Sequence, residues 1–172
     1  MQKALVVTVV GANRPGIVER LAAVVAEHEG SWLDSHMADL AGQFAGIVQV
    51  EVDAARHRGL ADSLGELAAE GLAVTLADGL PASRPARQIS LELTGLDHPG
   101  IVRDIAAALA RCGVSVESLE TERTSGSMSG EMLFVARADL ALPDGLTLDA
   151  LDAALQDVSA GLMVDVALDP IA

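Results

Sequence analysis

Residues 11–23 read Gly-Ala-Asn-Arg-Pro-Gly-Ile-Val-Glu-Arg-Leu-Ala-Ala, and residues 95–107 read Gly-Leu-Asp-His-Pro-Gly-Ile-Val-Arg-Asp-Ile-Ala-Ala. The offset is a constant 84, and seven of the 13 positions are identical, with Pro-Gly-Ile-Val shared whole. A repeat at this period divides the 172 residues into two copies of one unit. Between the copies, Gly79-Leu-Pro-Ala-Ser-Arg-Pro-Ala-Arg87 cannot continue a helix or a central strand, because its prolines lack an N–H and fix φ. The expected division is a first domain over 1–79, a linker over 80–87 and a second domain over 88–172.

Upstream of each motif, apolar residues alternate: Leu5, Val7 and Val9, then Ile89, Leu91 and Leu93. This is the period of a strand with one buried face. Downstream the period becomes helical, with Ile17, Leu21, Val24 and His28 on one stripe and Ile101, Ile105, Leu109 and Cys112 on the other. Gly30 and Gly113 are placed to end these helices in a left-handed cap. Two strand-like runs follow in each half, 32–39 with 44–53 and 114–122 with 131–138, separated by Gly42 and by Ser125-Gly-Ser-Met-Ser-Gly130. A second helix carries Leu60, Leu64 and Leu67, or Leu148, Leu151, Leu155 and Val158, with Thr147 a fitting N-cap for the latter. Short apolar strands over 72–77 and 162–168 close the halves. The order is β-α-β-β-α-β twice, so the expected class is α+β, two ferredoxin-like domains, each an antiparallel four-stranded sheet with both helices on one face. On the other face of the first strand, Val6 and Val10 are apolar where the second copy has Ser90, Glu92 and Thr94. The first half is expected to cover that face with another domain or subunit.

The repeated loop passes from a strand to a helix. Gly11 and Gly95 allow a tight strand exit, and Pro15 and Pro99 suit the first helical position. Gly16 and Gly100 leave the first-turn amides open, and those amides with the positive end of the helix dipole favour an anion such as a carboxylate. Asn13 and Asp97 lie just outside the helix, where they can cap it or face a ligand, and Asp97 could pair with an ammonium group. Such a loop would suit a free amino acid. The same Asx-x-Pro-Gly pattern is also simply a good helix start, and spacing alone leaves both readings open.

Composition excludes several classes. Lys and Arg number 11 against 25 Asp and Glu, a net charge of −14, and only Trp32, Phe44 and Phe134 are aromatic. Phosphate backbones are repelled and bases find few rings to stack on, so no direct nucleic-acid binding is expected. Residues 1–86 hold six basic and 11 acidic side chains, residues 87–172 five and 14, so neither half is a hidden basic domain. The single cysteine, Cys112, rules out an internal disulfide and a multi-cysteine zinc site, and on its apolar stripe it reads as a small core residue. His28 lies on a core stripe, His57 in an Arg-His-Arg run, and His36 and His98 stand alone, so no metal spacing exists. The Ser125–Gly130 segment lacks the Gly-Lys-Ser/Thr of a phosphate loop. Neither a signal peptide nor a membrane span is expected, which with the composition suggests a cytoplasmic protein.

The segments Val-Gly-Ala-Asn-Arg-Pro-Gly-Ile-Val (10–18) and Gly-Leu-Asp-His-Pro-Gly-Ile-Val (95–102) resemble the first loop of ACT domains, small regulatory modules with this order of elements. The segment 34–48, Asp-Ser-His-Met-Ala-Asp-Leu-Ala-Gly-Gln-Phe-Ala-Gly-Ile-Val, is similar to the second and third strands of the glycine cleavage system transcriptional repressor family, two ACT domains with nothing else attached. The resemblance implies a non-enzymatic sensor of a small amino acid, with no cofactor and no metal. Its ligand contacts by position are Asn13, Arg14, Pro15, Gly16 and Ile17, with Asp97, His98, Pro99, Gly100 and Ile101 in the second copy. It implies as partners a DNA-binding transcription regulator, met through protein contact, and a second copy in a homodimer. The acidic residue common in that loop is Asn13 here, so ammonium recognition is retained only by Asp97, and glycine as the ligand would rest on analogy alone. Two alternatives stand beside this reading: an oligomeric adaptor without ligand response, and an enzyme on a ferredoxin-like scaffold such as an acyl phosphatase, for which Arg14 is the only loop arginine.

Overall fold

The computed structural model describes residues 1–79, 87–126 and 130–171, whose contacts separate into two units. Of the expected linker only Arg87 lies among the described residues, and it already pairs with Leu142 in a strand. The middle of the Ser125–Gly130 tip lies outside them too. The first unit comprises β1 (Gln2–Ala12), α1 (Ile17–Glu27), β2 (Ser31–Leu40), β3 (Gln43–Asp53), α2 (His57–Glu66), a 3₁₀ turn (Leu67–Glu70) and β4 (Leu72–Asp78). The second comprises β5 (Arg87–Leu96), α3 (Ile101–Arg111), β6 (Ser115–Ser125), β7 (Met132–Leu142), α4 (Leu148–Leu162) and β8 (Val164–Pro170). Their sheets have the orders β2-β3-β1-β4 and β6-β7-β5-β8, antiparallel throughout. Both are therefore ferredoxin-like, and the class is α+β.

Alternation along the strands puts one face of each sheet into a core. Leu5, Val7 and Val9 join Val48, Val50 and Val52 beneath Leu21, Val24, Leu60, Leu64 and Leu67. In the second unit Ile89, Leu91 and Leu93 lie beneath Ile105, Leu109, Leu151 and Leu155. Thr147 caps α4 as expected, its Oγ1 accepting from the Ala150 N–H at 3.2 Å. The last strand begins later than the apolar run suggested: Leu162 ends α4, and Val164 begins β8.

Helix ends depart from the sequence reading in an instructive way. In both units, two successive amides after the helix bond back to its last carbonyls: Glu29 and Gly30 to Ala26 and Val25, and Gly113 and Val114 to Ala110 and Leu109. This cap needs its first residue in the left-handed region. Gly113 supplies it at φ 70°, whereas its counterpart in the first unit is Glu29 at φ 52°, not Gly30. Gly30 is needed for space, since a Cβ there would lie 3.0 Å from Val25 Cγ1 and 3.1 Å from the Val25 carbonyl. The junction before the last strand shows the opposite asymmetry, with Gly71 at φ 83° in the first unit and Met163 at φ 54° in the second. A left-handed residue with a Cβ costs about 1 kcal/mol relative to glycine. Glu29→Gly and Met163→Gly are each expected to stabilise their unit by roughly that amount, read as a raised urea midpoint at constant m; unchanged midpoints would show the strain to be absorbed elsewhere.

The second face of the two sheets differs as the sequence suggested. In the first unit β1 presents Val6, Thr8 and Val10 there, with Ala45 and Ile47 of β3 and Ala73, Thr75 and Ala77 of β4 beside them. Val10 and Ile47 are 44% and 46% exposed, so this apolar centre faces outward. On the matching face of the second unit, Arg137 lies 3.6 Å from Glu92 and 3.4 Å from Glu122, and Ser118 donates to Asp139 at 2.7 Å.

Candidate functional site

The strand-to-helix loops of the two units are built alike. Gly11 and Gly95 are still within β1 and β5, and they are needed for space rather than for a tight exit. A Cβ on Gly11 would lie 2.8 Å from the Gly71 carbonyl, and one on Gly95 would lie 2.8 Å from the Met163 carbonyl. The loop then leaves its sheet tied to the neighbouring hairpin: the Asn13 N–H donates to the Gly42 carbonyl at 2.8 Å and the Asp97 N–H to Met132 at 2.9 Å.

Pro15 and Pro99 are not first helical residues. The helices begin at Ile17 and Ile101, and Gly16 and Gly100 form the N-caps at φ 90°, ψ −1° and φ 100°, ψ −7°. These are the angles of the third position of a type II turn, whose second position favours proline. Pro-Gly is thus a turn that swings the chain into the helix, and glycine is demanded by its positive φ. Ile17 and Ile101 are 2% exposed, so they can offer a ligand only their backbone N–H groups. In any helix those first-turn amides have no partner within it. A Cβ at Gly16 would meet no described atom within 4 Å, whereas one at Gly100 would lie 3.3 Å from the Arg103 guanidinium. The first loop is the more open of the two.

The residues between strand and proline do something that spacing did not reveal. Arg14 Nη2 donates to the Glu70 carbonyl at 2.9 Å, and His98 Nε2 lies 2.9 Å from the Leu162 carbonyl. Glu70 and Leu162 are the equivalent last residues before Gly71 and Met163. Each loop therefore uses a cation-capable side chain to cap the end of its unit's second helical segment, where free carbonyls and the negative end of the dipole lie. In the first unit Arg20 adds a bond from Nε to the Glu70 carboxylate at 2.9 Å, and this pairing raises its already high pKa. His98 also has Nδ1 3.2 Å from the Pro99 carbonyl. The Leu162 carbonyl first, then that of Pro99, and then the carboxylates of Asp97 and Asp104 raise its pKa above the ordinary value.

Asp97 already has a cation. Arg123 Nε lies 2.6 Å from its carboxylate, so an incoming ammonium would have to displace the guanidinium. Arg123 stands opposite Phe134, which faces Gly95; in the first unit Asp39 stands opposite Phe44, which faces Gly11. The two units thus exchange their charges: loop carboxylate with strand guanidinium in one, loop amide (Asn13) with strand carboxylate in the other. Among the described residues Asp39 has no ion-pair partner, which leaves a free carboxylate at the register position where the second unit has Arg123. Sequence reading missed Asp39 and Arg123, because only the strand register brings them to equivalent places.

Of the remaining histidines, His28 and His57 lie against other elements of the first unit. His28 caps α1, with Nδ1 3.0 Å from the Val24 carbonyl and Nε2 3.5 Å from Ser63 Oγ on α2. His57 opens α2 beside Asp78 at 3.6 Å, and His36 lies on β2. Cys112 ends α3, half-buried against the core. Among the described residues, no three His, Cys, Asp or Glu side chains gather as a metal site, and no helix is long and apolar enough to cross a membrane.

Residues 3–76 match the sequence profile of the ACT domain family. An unknown protein from Galdieria sulphuraria is 28% identical over the whole of both chains, with a TM-score of 0.85. A protein provisionally assigned as a glycine cleavage system transcriptional repressor is 19% identical, with 99% of this chain and 98% of that one aligned and a TM-score of 0.72. No protein with a curated description matches the chain. The first unit is thus similar in sequence to the ACT domain family, the second repeats its topology, and the whole shares its two-domain fold with these two structures.

Proposed function

We propose that this tandem ACT-like chain is a non-enzymatic regulator that binds a free amino acid, works as a homodimer in the cytoplasm and acts on a DNA-binding transcription regulator through protein contact. The observation that carries the ligand reading is the open turn at Gly16, where a left-handed glycine precedes the first-turn amides and a Cβ would meet no described atom within 4 Å. Those amides suit a carboxylate, and the unpaired Asp39 on β2 of the same unit suits an ammonium. The second loop keeps Asp97, His98, Pro99, Gly100 and Ile101 in equivalent places, but Arg123 and Arg103 fill part of it. The negative charge of both halves supports action through a protein rather than on DNA itself. An acyl phosphatase would need a free loop arginine, and Arg14 is engaged with Glu70.

The dimer reading rests on the apolar strip of β1, β3 and β4 around Thr8, flanked on the same sheet face by Gln49 and by Asp34 and His36 of β2. At the usual strand spacing and rise, four strands offer roughly 500 Å² per copy. Two such faces together reach about the 1,000 Å² that a stable interface needs.

A thermal-shift screen of the twenty amino acids at millimolar concentration tests the ligand reading. A binder present at 100 times its Kd is expected to stabilise the protein by about 2.7 kcal/mol. Asp39→Asn is expected to abolish the response if the first loop is the site, and Asp97→Ala if the second is. The absence of a shift with every amino acid would leave the adaptor reading in its place.

A further inference from the structure

The two equivalent caps differ in one chemical respect. Arg14 is a permanent cation on the Glu70 carbonyl, while His98, on the Leu162 carbonyl, can lose its proton. Both ring nitrogens of His98 face carbonyl oxygens, at 2.9 Å and 3.2 Å. A carbonyl only accepts, so both bonds form only when both nitrogens carry hydrogen, that is, in the imidazolium. In the neutral ring one nitrogen would turn its lone pair toward an oxygen lone pair. We infer that His98 is a proton-operated latch: as the imidazolium it makes both bonds and pins the loop between β5 and α3 to the end of α4 with a charged donor, and deprotonation, which takes away the charge and one of the two donors, weakens that hold, while the Arg14 latch of the first unit stays closed at every physiological pH.

The charged surroundings favour the closed form. On the loop itself, Asp97 stands next to His98, with its carboxylate on Arg123 of β6. On α3, Asp104 is paired with Arg103 at 2.7 Å, and Arg111 lines the groove between α3 and α4 together with Asp104. α4 presents its carbonyl end at Leu162, where the dipole is negative. The sign follows from these contacts. A histidine whose pKa is raised on folding contributes stability that is fully present below its unfolded value of about 6.5 and is lost as pH rises through the folded value. The hold on the second loop therefore loosens toward alkaline pH, and the Arg14 cap of the first loop does not. Any ligand contact made by the second loop would inherit this dependence, a consequence that rests on the function proposed above; the latch itself does not.

NMR titration of the full chain without ligand, from pH 5.5 to 8.5, separates the two ideas. The His98 ring is expected to titrate at a higher midpoint in the folded chain than in urea. The amides of residues 97–101 and 162–164 should shift with that same midpoint, while those of 13–17 and 70–72 stay flat. His98→Arg should abolish the movement in the second unit and keep it folded, since the first unit already uses Arg there. Arg14→His should create a titrating loop in the first unit. A folded-state midpoint at or below that in urea, second-loop amides indifferent to His98, or a dependence that does not follow the swapped residue would each overturn the latch. An amino-acid screen that fails while the titration behaves as expected would remove the ligand reading alone.

Discussion

Gly95→Ala is expected to cost the second unit about 3 kcal/mol, at the upper end of what one extra methyl group does in a close-packed place. Gly95 pairs with Val164 in the strand register, and an added Cβ would stand 2.5 Å from Val164 Cγ1 and 2.8 Å from both the Val164 Cα and the Met163 carbonyl. Two of these three atoms are backbone, so no rotamer change relieves the clash and the start of β8 must move. That backbone follows directly on Leu162, whose carbonyl His98 caps, and the loop latch is strained with it. Gly11→Ala is milder, because one of its two close neighbours, Leu72 Cδ2 at 2.8 Å, is the end of a flexible side chain. The units have separate hydrophobic clusters, so the loss should fall on one of them. For a unit of this size 3 kcal/mol lowers the melting temperature by on the order of 15 °C. Calorimetry should then show the second unit's transition pulled away from the first; a thermogram identical to wild type would mean that β8 yields without cost.

That glycine illustrates where the sequence is legible and where it is not. The period-2 run at Leu5, Val7 and Val9 and the helical stripe at Ile17, Leu21 and Val24 are local patterns, and a repeat doubles each of them. Fold class and element order follow from such patterns. The turn at Pro15-Gly16 is half legible, since Pro followed by Gly is a type II turn signal, but a helix-start preference for proline points two residues away from the observed start. Nothing local marks the roles of Arg14 and His98, whose partners lie 56 and 64 residues further along the chain. Read by spacing they are loop residues awaiting a ligand; in the fold they are the caps of another helix. The exchange of Asn13 and Asp39 for Asp97 and Arg123 becomes visible only when the strand register places residues of the hairpin beside the loop. Glu29 in a left-handed cap has no signal at all, because the expected glycine stands next to it and serves another purpose.

Thr8→Glu is expected to convert the proposed dimer to a monomer while leaving the fold intact. Thr8 lies in the middle of the outward face, opposite Ile47 and Thr75, and its counterpart in the repeat is Glu92. The second unit already carries a glutamate at this register position, so the substitution asks nothing new of the sheet. It does ask something of an interface, since a carboxylate without a cation would be buried on each copy, and an unpaired buried charge costs about 3 kcal/mol or more. Two such penalties weaken the dimer by roughly four orders of magnitude at about 1.4 kcal/mol per tenfold. Adding Ile47→Arg supplies the partner that Arg137 provides to Glu92 at 3.6 Å, since Thr8 faces Ile47 as Glu92 faces Arg137, and it should restore any lost stability of the monomer without restoring the dimer. Salt gives an independent reading of the same contact. Both copies carry a net charge of −14, so an interface with an uncharged centre is opposed chiefly by long-range repulsion, and screening that repulsion should tighten the wild-type dimer. Sedimentation equilibrium of the wild type, the single and the double variant at 0.05 and 0.5 M salt decides the matter. A Thr8→Glu protein that still sediments as a dimer with unchanged affinity would exclude this face as the interface, and the adaptor and sensor readings would both need another surface on which two copies meet.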